Sequence, residues 1–167
     1  MPNLPTPQGN PQPSANAPIA GGAASFIPDY IDPRTSNWDE YEYVTNFAAP
    51  VAAAGVAQTQ ILIDAGTDFF WTATSYQADI GGAALTESTN VIPLVTVLIN
   101  DTGSARNLMS TPVPVGAIAG DGKRPYRKLR PRLFRGNSLI QFTWTNYSTG
   151  TTYSNIYFTL HGFRRYG

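Results

Sequence analysis

Between residues 123 and 135 the sequence reads KRPYRKLRPRLFR, seven cationic side chains in thirteen positions of a chain whose formal net charge is zero. In an extended backbone successive side chains point to opposite sides. Tyr126, Lys128, Arg130, Arg132 and Phe134 then share one side, a ladder of cations between two aromatics, while Arg127, Leu129, Pro131, Leu133 and Arg135 share the other. Pro125 and Pro131 keep the segment out of a central strand. Such a ladder could neutralise phosphates beside stacked bases, guard a sheet edge against aggregation, or pair with an acidic protein surface. Overall neutrality argues against nucleic acid. The charge distribution favours the acidic surface: residues 1–105 hold ten acids and one cation, and residues 106–167 hold ten cations and one acid. Arginine outnumbers lysine nine to two, which suits planar pairing with carboxylates. The simplest acidic partner is the other half of this chain or of a neighbouring copy.

Other reactive residue types are sparse. With no cysteine and His161 as the single histidine, thiolate chemistry and multi-histidine metal sites are excluded. A serine triad would have to be built on His161, which falls in mid-strand, and no GxSxG elbow occurs, so a structural role is expected for it. Asp64, Asp68, Asp101 and Asp121 lack the spacing of a calcium loop and read as turn residues. Trp38, Trp71 and Trp144 keep a carbohydrate-stacking role open, although Trp144 alternates with Ile140 and Phe142 as a core residue would. These residues imply no enzyme, no metal and no cofactor. The sites left are surfaces: the 126–134 ladder, and the acidic, aromatic segment carrying Trp38, Tyr41 and Tyr43.

The elements that must position these groups are strands. Aromatics make up 12% of the chain and charged residues 13%, a balance that favours β structure over helix. Residues 1–28 are Pro, Ala, Gly, Asn and Gln without hydrophobic period and predict an extended arm. Residues 1–49 as a whole are read as that arm plus a connector, with a short helix possible from Ser36 or Asn37, and residues 50–167 as the body. Strands are predicted at 58–65, 68–80 and 90–101, with Pro93 disturbing the last. Ile140, Phe142 and Trp144, and then Ile156, Phe158 and Leu160, alternate with polar residues on either side of a Gly-containing turn, which predicts an antiparallel hairpin. The expected fold is an all-β, antiparallel sandwich or jelly roll behind an extended N-terminal arm. The N-terminus has neither a basic start nor an apolar run and no stretch is long enough to span a membrane, so synthesis in the cytoplasm of the producing cell is expected.

The final third resembles a loosely related group of small virion proteins of tailed bacteriophages. The likeness lies in the order of short features: Pro131 in a strand, Gly136-Asn137 in a turn, an alternating strand ending at Asn146, and a last strand closing with Gly162, Arg164, Arg165 and Tyr166. DFFWTATSY is similar to the aromatic strand that opens the shared core of that group, and the likeness covers residues 65–167 in patches. The resemblance implies a β-sandwich subunit of the virion, placed on the capsid surface or at the neck or tail, and no catalysis. On this reading the chain is a decoration or cement protein whose partners are the major capsid protein and copies of itself, as a dimer or trimer. A neck or tail adaptor, a fibre-attachment protein and a host-glycan-binding module are the alternatives.

Overall fold

The two alternating rows near the C-terminus bury their apolar members completely, and the computed structural model, which describes residues 37–46, 51–80 and 91–166, shows where they go. Ile140, Phe142, Trp144, Ile156, Phe158 and Leu160 are all at most 1% exposed. Phe142 and Trp144 meet Phe158 edge-on, with ring centroids 5.7 and 5.2 Å apart. Each such side chain taken from water is worth about 1.5–3 kcal/mol, so this row-against-row contact is the centre of the fold.

Two antiparallel sheets supply the rows. The elements are β1 (Trp38–Asn46), β2 (Val56–Leu62), β3 (Thr67–Ile80), β4 (Val95–Asp101), β5 (Arg106–Asn107), β6 (Val113–Pro114), the short helix α1 (Val115–Ile118), β7 (Tyr126–Phe134), β8 (Leu139–Asn146) and β9 (Tyr153–Tyr166). One sheet has the order β1-β9-β3-β7 and the other β2-β8-β4-β5, with β6 beside β4. The chain is an all-β sandwich. The strands expected at 58–65, 68–80 and 90–101 are β2, β3 and β4, and β4 begins only at Val95, after Pro93. The predicted arm, residues 1–28, lies outside the described residues.

Two expectations are corrected. The helix considered from Ser36 or Asn37 is replaced by β1, which pairs along its whole length with β9, from Trp38 opposite Arg165 to Asn46 opposite Tyr157. Its burial pattern explains why: Tyr43 and Thr45 are buried between exposed Glu42, Val44 and Asn46, a period of two that only a strand presents to a core. The predicted hairpin of β8 with β9 does not form, because β8 pairs with β2 and β4 while β9 pairs with β1 and β3. The connection is an arch that carries the chain from one sheet to the other. Asn146, 1% exposed, holds it: the Asn146 amide donates to the carbonyls of Val51, Ala52 and Thr151, and its Oδ1 accepts the Ser148 N–H. Asn146→Ala leaves the Ser148 N–H without its acceptor and takes one of two donors from each of the three carbonyls, so we expect a loss of about 2 kcal/mol, read as a lower urea midpoint at unchanged slope.

The edge position predicted for the cationic segment is observed, since among the described residues β7 pairs only with β3. Its regular alternation is interrupted. Trp71 stands opposite Arg132 and Ala73 opposite Arg127, so residues 128–131 of β7 share the single β3 residue Thr72. A wide bulge of this kind lifts the strand away from its neighbour, and Leu129 within it is fully exposed. The same irregularity shifts β3 against β9, where Trp71 faces Gly162 and Ala73 faces His161.

Candidate functional site

The bulge opens a cleft on the inner side of β7, where β5 is only two residues long and no other described strand covers it. Trp71 forms its base, 2% exposed, stacked on Phe134 with centroids 5.9 Å apart and tied by its indole N–H to the Ala73 carbonyl at 2.9 Å. Lys128 folds back over this ring, its Nζ 3.3 Å from the centroid. Tyr126, Arg130 and Arg132 line the same cleft, of about 280 Å³, which adjoins through Arg132 and Leu108 a larger one of about 720 Å³ beside Arg106. The carboxylate of that larger cleft, Asp101, is occupied by its own turn, accepting the Gly103 and Ser104 N–H groups and the Ser104 hydroxyl.

No carboxylate lies within ion-pair distance of Lys128, Arg130 or Arg132 among the described residues. Burial first, and then the charge of Arg132, bring the Lys128 ammonium from its ordinary 10.5 down to about 8. Below that pH the lysine is charged in the folded and the unfolded chain alike, and the fold bears the whole cost. As pH rises from about 8 towards 10.5 the folded lysine loses its proton first and the cost disappears. A fully enclosed group shifted this far would weaken the fold by about 3 kcal/mol; partial exposure and the attraction of the Trp71 face reduce that to about 1 kcal/mol. Lys128→Met keeps the stem on the indole, so it is expected to stabilise the protein by that amount at pH 7 and not at all above the ordinary lysine range. Urea titrations of both proteins across pH check it.

The remaining predicted residues sit elsewhere. Phe134, expected at an interface, is 1% exposed and is a core residue under Trp71. Tyr43 is likewise in the core, edge-on to Phe69 at 4.8 Å, with its hydroxyl accepting the Asp64 N–H. Burial raises the Tyr43 phenol above its ordinary range. Trp38 lies against Phe70 with centroids 4.8 Å apart, and Tyr41 is covered by the Arg164 guanidinium 3.9 Å from its ring. All three are on β1, at the opposite edge of the sheet from β7, so the structure gathers no single site from both groups. Trp71 and Trp144, at 2% and 1% exposure, have no open face for a sugar ring.

Part of the charge separation is resolved within the chain. Asp68 pairs with Arg135 and Arg165 at 2.8 and 2.7 Å and Asp64 with Arg164 at 2.8 Å, while Glu42 Oε1 lies 2.6 Å from His161 Nδ1 in a hydrogen bond. Asp101 and Asp121 cap turns, as expected of them. Among the described residues no cluster of three or more metal-ligating side chains occurs.

His161 also places its Nε2 2.7 Å from Ser75 Oγ, so Glu42, His161 and Ser75 stand in the order of an acyl-transfer triad. The N–H of Tyr76, the residue after the serine, is donated to the Gly120 carbonyl at 2.9 Å, and Ser75 is only 7% exposed. The network laces β1, β9 and β3 together across the outer face.

Fold and cleft together define an all-β sandwich with a cationic edge strand. No protein-family model, no curated protein and no solved structure matches the chain.

Proposed function

We propose that this protein is a non-enzymatic structural subunit that docks onto an acidic protein surface through the β7 edge. The observation that carries this reading is the contrast between the two sets of cations. Arg135, Arg164 and Arg165 each have an aspartate of this chain, whereas Lys128, Arg130 and Arg132 gather at a free edge with none among the described residues. Like charges held together on a part-buried face cost free energy, and an acidic partner removes that cost. Edge protection alone explains exposed charge and does not explain a lysine folded onto a buried tryptophan.

The particular form we propose is a capsid decoration or cement protein, located on the virion and bridging major capsid subunits and copies of itself. That form rests on the order of features from Pro131 to Tyr166 and on the aromatic strand β3. Co-sedimentation of the purified chain with particles stripped of it tests the docking: binding should be saturable and should weaken as salt is raised. Binding that ignores salt, or no binding, would contradict it.

A further inference from the structure

Resting on that docking reading, we infer that the cleft over Trp71 is a socket for one carboxylate side chain of the partner, an aspartate or glutamate, held between Lys128 and Arg132. Both cations line the cleft, Lys128 with its Nζ 3.3 Å above the Trp71 ring, and the charge of Arg132 reaches it. One anion between them neutralises both, and the planar guanidinium matches the two oxygens of a carboxylate. The other wall, Leu108 and Met109, is apolar and suits the methylene stem of an acidic side chain. The lysine, two guanidiniums and Tyr126 carry donors enough for a phosphate as well, so phosphate is the competing occupant that the test below separates. The volume of about 280 Å³ admits one side chain and not a folded segment.

Protonation gives the socket a signature that simple surface charge lacks. An anion seated against Lys128 restores its pKa towards the ordinary value, so binding takes up a proton above pH 8 and affinity falls as the free lysine deprotonates. If only the charged form binds, the dissociation constant should rise about 10-fold between pH 7 and pH 9.

The test is an NMR titration of the full chain with N-acetyl-glutamate methylamide, following the Trp71 indole N–H and the Lys128 side chain. We expect saturable shifts of both signals, a Lys128 pKa raised on binding, the stated loss of affinity at high pH, and no shifts in Lys128→Met. Absence of saturable shifts, or an affinity indifferent to pH, would overturn the socket. So would inorganic phosphate or an oligothymidylate moving the same signals at lower concentration than the glutamate probe. The two readings also separate. If Lys128→Met binds stripped particles like the parent while reversal of Arg130 and Arg132 abolishes binding, the socket falls and the docking edge stands.

Discussion

Gly162→Ala is expected to prevent folding. Gly162 lies on the inner face of β9 where β3 bulges, and a methyl group there would come within 2.0 Å of the Phe70 carbonyl oxygen and 2.9 Å of two Phe69 ring carbons. The first is backbone of the adjacent strand and the second a ring that is 0% exposed, so neither can move aside. Overpacking usually costs 1–3 kcal/mol; a clash with backbone on one side and a core ring on the other should cost about 4 kcal/mol or more, a large share of the stability of a domain this size. The expected result is insoluble or unfolded protein by circular dichroism. Gly150→Ala is the control, because nothing lies within 4 Å of its added carbon and its φ is not positive. A Gly162→Ala chain melting within a few degrees of the parent would show that β3 and β9 do not approach as described.

The second large effect concerns docking. Arg130→Glu with Arg132→Glu places two anions where an acidic surface is expected to arrive, replacing attraction by repulsion on the same strand. Each charge reversal at an exposed contact of this kind is worth about 1.4 kcal/mol or more, so affinity for stripped particles should fall by at least about 100-fold. Both side chains sit on the edge away from the core pairs, so the fold should survive, as an unchanged circular dichroism spectrum would show. The same double change with unaltered binding would reduce the ladder to edge protection.

How far these sites could be read from sequence depends on what each pattern reports. Alternation in 139–146 and 153–166 reports which side chains face the core, and it identified Ile140, Phe142, Trp144, Ile156, Phe158 and Leu160 correctly. It does not report which strand lies alongside. A loop containing Gly150 looked like a hairpin turn, while the deciding contacts, from Asn146 to Val51 and Ala52, span more than ninety residues. For β1 the period-two signal is present in Tyr41, Tyr43 and Thr45, but Ser36 and Asn37 just before it are also good helix caps. The edge character of β7 followed from its prolines and charges. Its bulge did not, because the register shift is set by pairing with Trp71 and Ala73 on β3. For the same reason Lys128 was legible as one cation among seven, and its place over Trp71 was not. Tyr43 and Phe134 were misplaced because an aromatic at the margin of a charged run has the same sequence signature in a core as on a surface.

The most direct measurement is the copy number of this chain in purified particles from the producing cell, by quantitative mass spectrometry against the major capsid protein. A lattice decoration predicts copies on the order of a hundred or more per particle, in fixed proportion to the capsid subunit. About a dozen or fewer would place the chain in a ring at the neck or tail, with the same cationic edge facing a different neighbour. Particles free of the chain would contradict the account.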